Sequence, residues 1–205
     1  MSYEDTVRGP VALRGKARRW LADAERLDQA VYAAIANTPT PALDRALRQL
    51  TRAADHSKLS LAAAGALALA GGPTGRRAAA QGLASLAVTS VVVNAGLKLA
   101  ARRRRPDPSA HAVPESRQVR MPISRSFPSG HSAAAFAFAT GVGEVSPGAA
   151  LPLRALAVVV AYSRVHTGVH YPGDVIAGAL AGVSLAELTG RVILPRALAR
   201  AKAGS

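Results

Sequence analysis

The sequence predicts an all-α protein: a multi-span transmembrane helical bundle of about five spans, with an amphipathic helical N-terminal region. Three observations carry this prediction. Residues 78–97 run for twenty positions without a charge, fenced by Arg77 and Lys98, which is the length a helix needs to cross a bilayer. Further apolar stretches repeat that pattern along the chain. The basic residues gather before residue 58, in the run 102–105 and after Arg191, so they flank the apolar stretches instead of mixing with them.

The first 57 residues read as two amphipathic helical pieces. Leu27, Val31 and Ile35 recur at helical spacing, and after the turn Thr38-Pro39-Thr40-Pro41 so do Leu43, Leu47 and Leu50. Thr40 is placed as an N-cap and Pro41 as the first helical residue. Asp44 and Arg48 form an i,i+4 pair on the exposed side. These helices fit a place on the membrane surface, apolar side down, or against the bundle.

Spans are then expected at residues 59–75, 78–97, 127–143 (interrupted only by His131), 151–163 and 175–194. Arg154 near the start of the fourth would snorkel to the interface, and the fifth contains Glu187 and ends among arginines. The chain divides into an N-terminal region 1–57, a membrane-embedded domain 58–195 and a basic tail 196–205. A soluble bundle with an Ala- and Gly-rich core competes with this reading, but small residues equally suit close helix contact in lipid. The expectation is a multi-pass protein of the cell membrane.

The net charge is +14, from 26 basic and 12 acidic residues. Aromatics make up only 4% of the chain, which leaves few stacking platforms, so no nucleic-acid partner is expected. The charge reads as a membrane-flanking pattern attractive to anionic lipid. Cysteine is absent, which removes disulfides and thiolate metal sites.

The chemistry-bearing residues fall into three blocks. The first runs from Lys98 to Arg105-Pro106; seven residues on a continuing helix are two turns, so both cations would point the same way until Pro106 and Pro108 stop the helix. A solvated loop is expected from there to Ser126. The second block is Pro128-Ser129-Gly130-His131, directly before a helical run. Ser129 reads as its N-cap, Gly130 lets backbone approach a ligand, and the exposed amides of the helix start would face an anion. The third holds Ser163-Arg164, then His170 in a Gly-containing turn, then Asp174 where Pro172-Gly173 opens the last helix. The third and fourth spans leave and return, so the second and third blocks lie on one membrane face. Three cations, a glycine turn, two histidines and a carboxylate are what a site needs to bind a phosphoryl group, attack it and protonate a leaving oxygen. Each block alone is weak; their joint occurrence in this order is specific.

Between Lys98 and Asp174 the blocks resemble the three signature motifs of the type 2 phosphatidic-acid phosphatase superfamily, which includes vanadium haloperoxidases, and the flanking helices resemble its membrane branch. The resemblance implies a metal-independent lipid phosphatase that needs no cofactor. His170 would be the nucleophile, forming a phosphohistidine, with Asp174 holding its other ring nitrogen and His131 protonating the leaving group and then activating water. Lys98, Arg105, Ser129, Gly130 and Arg164 would hold the phosphate. The implied partner is a lipid phosphate: phosphatidate, phosphatidylglycerol phosphate, a polyprenyl diphosphate or decaprenylphosphoryl phosphoribose. A vanadate-dependent haloperoxidase and a non-catalytic lipid-binding protein are the alternatives, the second disfavoured because all eight positions are filled.

Arg102, Arg103 and Arg104 are assigned to a snorkelling or lipid-attracting cluster, and His56 and His111 to the surface. The role of His166 stays open. A zinc site is a poor reading, because His166 and His170 lack a Glu between them in the required place and no third ligand stands at metal-site spacing.

Overall fold

A computed structural model of the protein describes residues 3–101 and 103–193. Arg102 and the expected basic tail lie outside the described residues. Every regular element among them is helical: α1 (Tyr3–Asn37), α2 (Pro41–Ala53), a 3-10 turn (Asp55–Ser57), α3 (Lys58–Ala70), α4 (Gly72–Val91), a π segment (Val92–Leu97), α5 (Lys98–Ala100), α6 (Gly130–Val145), α7 (Pro147–His166) and α8 (Pro172–Leu188), which runs on into a second π segment (Thr189–Ile193).

The N-terminal region forms its two helices, but α1 is a single helix of 35 residues and its buried face is not the expected one. Leu27 is 66% exposed and Val31 39%, while Tyr32 and Ala36 are buried. The apolar spacing marked one side of the helix; contact with the loop and α7 selected the neighbouring side. α2 starts at Pro41 as expected, though Thr40 makes no side-chain cap and instead donates to Asp44 Oδ1 at 2.9 Å. Asp44 is buried and not paired with Arg48; its partner is Arg117, Nε to Oδ1 2.8 Å. An i,i+4 pair is worth a few tenths of a kcal/mol, about 0.2–0.5, and yields to a buried charge-assisted bond.

The stretch 59–75 is not one helix. It breaks at Gly71, where α3 turns back into α4 so tightly that a Cβ on Gly71 would meet the Leu67 carbonyl oxygen at 2.7 Å. α4, the π segment and α5 then form one rod, Gly72–Ala100, of 29 residues. Among the described residues three helices are long and apolar enough to cross a membrane: that rod, Pro147–His166 and Pro172–Val192. α3 and α6, with 13 and 16 residues, fall short of the twenty or so that span a bilayer, so helix length supports three of the expected spans and does not establish a count of five.

α6 reads as a span because it is apolar all round, and its position explains why: it is the central helix, packed on α4, α7 and α8. Phe138 and Val142 of α6 meet Ala78 and Ala79 of α4 and Ala64 of α3 in the main apolar cluster. On its other side α6 lies against α8, where a Cβ at Gly178 would strike the Ser129 carbonyl and one at Gly182 the Ala133 carbonyl. Glycines four apart thus let two backbones touch at the start of α6.

Candidate active site

The rod holding Lys98 ends at Ala100, and Ala101 is already extended (φ −83°, ψ 132°). Lys98 and Arg105 therefore do not share a helix face: the helix stops at Ala100, ahead of the arginine run, and Arg105 reaches the site from the chain beyond it. Lys98 remains close to the second block, its Nζ 3.2 Å from where a Cβ of Gly130 would stand. Any side chain at Gly130 would press on that ammonium. Arg105 is heavily anchored. Its Nε donates to Ser124 O (2.8 Å), one terminal nitrogen to Val169 O (3.0 Å) and the other to Ser124 Oγ (3.2 Å). The terminal nitrogen on Val169 also lies 3.0 Å from His170 Nε2.

Ser129 caps α6 as expected: its Oγ accepts from the Ser132 amide at 3.4 Å and the Ser132 hydroxyl at 3.0 Å. Its main-chain N–H donates to Asp174 O at 2.9 Å, which joins the second block to the third through backbone alone. His131, one residue into the helix, places Nε2 3.0 Å from Asp55 Oδ1.

In the third block Arg164 is buried at the end of α7. It donates from one terminal nitrogen to Thr51 Oγ1 (3.1 Å), while its Nε is buried without a hydrogen-bond partner among the described residues. Ser163 bonds Thr51 Oγ1 at 2.8 Å. The chain then turns through Gly168 (φ +75°), a left-handed position suited to glycine, and the His170 amide returns to Arg164 O at 3.1 Å.

His170 and Asp174 form a buried pair, with Nδ1 3.4 Å from Oδ2. Guanidinium only donates, so the Arg105 contact makes Nε2 the acceptor and leaves the ring proton on Nδ1, facing Asp174. Burial, with the charges of Arg105 and Arg164 added, pushes the imidazole down to about 3 against the opposing pull of Asp174. His170 is thus neutral, with its Nε2 lone pair turned toward the cations. Asp174 is itself held on both oxygens: Arg103 donates to Oδ1 at 3.0 Å, and the Tyr171 amide (3.0 Å) and the Ser126 hydroxyl donate to Oδ2.

Arg103 corrects the sequence reading. It is not a lipid-facing member of a cluster: it bridges Asp174 and Asp28 of α1 (2.5 Å) and lies over the Tyr171 ring, 4.3 Å from its centre. Arg104 is exposed, in keeping with its assignment. Asp28 also accepts from the Gly173 amide at 2.6 Å. The loop before Ser126 is less solvated than expected. Arg117 is 1% exposed; besides Asp44 it donates to Ile35 O (3.1 Å) and Thr38 O (2.6 Å), closing the end of α1. His166 joins this cluster, Nε2 2.9 Å from Thr40 Oγ1. His56 is exposed, and His111 is half-buried edge-on to Tyr32, ring centres 5.0 Å apart. No local spacing marks Asp28, Asp55 or Arg117, since each acts on residues more than seventy positions away; only the clustering of arginines pointed near Arg103.

A cavity of about 190 Å³ opens beside Lys98 and the second block. Lys98, Asn94, Gly130 and His131 line its polar end, and Ala134, Phe138, Leu156 and Val160 its apolar wall.

Residues 78–196 match the model of the PAP2 superfamily. The chain belongs to that superfamily. Among its relatives is the decaprenylphosphoryl-5-phosphoribose phosphatase of Mycolicibacterium smegmatis, 37% identical over 168 residues, covering 77% of this chain and 84% of that one. The protein of the same name from Mycobacterium tuberculosis is 37% identical over 97 residues, 47% of this chain and only 51% of its own length. Among solved structures, Aquifex aeolicus LpxE superposes with a TM-score of 0.61 at 26% identity, covering 80% of this PAP2 chain and 94% of LpxE. A transmembrane PAP2 type phosphatidylglycerolphosphate phosphatase from Bacillus subtilis superposes equally, TM-score 0.61, over 82% and 85% of the two chains; at 23% identity it speaks for the fold alone. The all-helical membrane fold expected from the sequence is that of the superfamily.

Proposed function

We propose that this PAP2 protein is a metal-independent lipid phosphatase that works through a phosphohistidine at His170. The observation that supports it most is the Arg105–His170–Asp174 arrangement: a neutral imidazole, its Nδ1–H aimed at a buried carboxylate and its Nε2 lone pair aimed at a guanidinium where phosphate oxygens would gather.

In the first step the Nε2 lone pair attacks phosphorus in line with the scissile P–O bond. That bond breaks, its electron pair stays on the leaving oxygen, and His131 supplies the proton. Lys98, Arg105 and Arg164 offset the charge on the equatorial oxygens, with the Gly130 amide and the Ser129 cap shaping the cradle; the partnerless Nε of Arg164 is a donor ready for one of those oxygens. In the second step His131 takes a proton from water, the oxygen attacks phosphorus, the N–P bond breaks with its pair returning to Nε2, and inorganic phosphate leaves. Asp174 keeps the Nδ1 proton in place throughout. The cations do the work a divalent metal would otherwise do.

The substrate is a lipid phosphate. The apolar wall running from His131 to Val160 suits a chain attached to the leaving oxygen. The M. smegmatis relative, matched over most of its length, favours a polyprenyl-linked sugar phosphate ahead of phosphatidate, phosphatidylglycerol phosphate or a polyprenyl diphosphate. We place the protein in the cell membrane as a multi-pass protein, with residues 58–195 as the phosphatase domain and residues 1–57 packed against it.

Phosphate release by purified protein in detergent with excess EDTA, over those four lipids, tests the reading. Turnover should persist under EDTA and fall about 10²- to 10⁴-fold in His170→Ala. No release from any lipid, with vanadate-dependent halide oxidation in its place, would overturn it.

A further inference from the structure

We infer that Asp55 is the positioning residue of the general acid His131; this rests on the phosphohistidine reading above. Asp55 Oδ1 stands 3.0 Å from His131 Nε2 and 3.9 Å from the nearest terminal nitrogen of Arg164. It lies outside all three blocks, in the 3-10 turn between α2 and α3. Two residues of that turn, His56 (φ 56°) and Ser57 (φ 58°), occupy the left-handed region that residues with a side chain seldom adopt. The chain tolerates consecutive strained residues in the turn that delivers this carboxylate, and strain held at such a place accompanies function.

The chemistry asks for such a group. An alkoxide is a poor leaving group, so the P–O bond breaks readily only if a proton arrives as it does, and His131 must be positively charged beforehand. The charged neighbours of His131 from the packed elements are Lys98 at the end of the rod, Arg164 from α7 and Asp55 from the turn. Burial and the two cations disfavour an imidazolium; the carboxylate opposes them and fixes the ring. With Nε2–H held by Asp55, the proton passes from Nδ1 to the leaving oxygen as the P–O bond breaks, and the ring is left neutral with Nε2–H still on the carboxylate. Asp55 thus serves the proton donor as Asp174 serves the nucleophile, and it comes from the N-terminal side of the chain, ahead of the first block.

The test is a leaving-group comparison. kcat/KM, which reports the first bond cleavage, is measured for a long-chain alkyl phosphate and for a nitrophenyl phosphate carrying the same chain, whose leaving group needs no proton. Asp55→Asn should lower kcat/KM about 10- to 100-fold on the alkyl ester and less than about threefold on the aryl ester, with Asp55→Glu restoring much of the alkyl activity. An equal loss on both esters would mean that Asp55 only supports the fold. A gain on both would mean that its carboxylate competes with phosphate for Arg164. Either result overturns the inference. His131→Ala separates it from the reading beneath: if His131→Ala favours the aryl ester and Asp55→Asn does not, Asp55 alone loses its role; if His131→Ala changes neither ratio, the general-acid assignment itself fails.

Discussion

Arg103 reaches Asp174 at 3.0 Å with one terminal nitrogen and Asp28 at 2.5 Å with the other, so one guanidinium ties the carboxylate behind His170 to the N-terminal helix. The fork is planar and stacked on Tyr171, which fixes its direction. Its charge is stabilised by both carboxylates, whose bonds outweigh the cost of partial burial. Without Arg103 the fully buried Asp174 would lose the cation on its Oδ1 and keep only neutral partners on Oδ2.

Replacing Arg103 should consequently act on turnover and not only on folding. Arg103→Gln is expected to lower kcat about tenfold or more, about 1.4 kcal/mol in the barrier, with a smaller change in KM. Arg104→Gln, at an exposed neighbour, should leave both constants near the wild-type values. Steady-state kinetics on the two variants side by side checks this, and equal effects would contradict it.

A different pair secures the loop between α5 and α6 to the N-terminal helices. Arg117 and Asp44 form a buried ion pair that also satisfies carbonyls at the end of α1. Burial would raise the Asp44 carboxyl, but hydrogen bonds from Thr40 and Ser116 and the charge of Arg117 bring it below the usual range. Arg117→Ala leaves that carboxylate buried and unpaired, a loss of about 3–5 kcal/mol. Thermal unfolding in detergent should show a correspondingly lower Tm, and an unchanged Tm would count against the pair.

His170 sets a pH signature. Its folded value of about 3 lies below the ordinary 6.5, so the unfolded chain binds the additional proton. The stability this group contributes is fully present above pH 6.5 and is lost as pH falls from there toward 3, at up to about 1.4 kcal/mol per pH unit. NMR of the protein labelled at histidine should find the His170 ring neutral at pH 5. An ordinary titration near 6.5 would contradict the geometry described.

The contact between α6 and α8 carries its own expectation. Gly178→Val would drive a side chain into the Ser129 carbonyl, and overpacking of this kind costs about 1–3 kcal/mol. Activity should fall by more than the stability loss accounts for, because the cap of α6 and the Asp174 carbonyl separate together. Circular dichroism with kinetics measures both in one preparation; a variant that is destabilised yet fully active would refute the coupling.

How much of this was legible depends on how far apart the interacting residues lie. Ser129 as a cap and Pro41 as a helix start follow from short spacings, and helices that leave and return bring Ser129 of the second block against Asp174 of the third. Local i,i+4 spacing pairs Asp44 with Arg48 and gives no sign of Arg117, seventy-three residues on. A run of like charges reads as one solvated face, which groups Arg103 with its neighbours, whereas the chain leaves the helix at Ala101 and sets Arg103 on Asp174 but Arg104 in the open. The count of spans went beyond helix length for a related reason. A helix enclosed by other helices is as apolar as one facing lipid, and α6 is enclosed.

The bond from the Ser129 amide to the Asp174 carbonyl belongs to the main chain, so no side-chain replacement at either residue deletes its donor or acceptor, proline at 129 excepted. Damage to that bond must come from a neighbour that wedges the helices apart. A homologue can therefore keep all eight signature residues and still be inert, disarmed by a bulkier residue at the position of Gly178. Counting intact motifs would pass such a protein as an enzyme; inspecting the small residue opposite the cap would not.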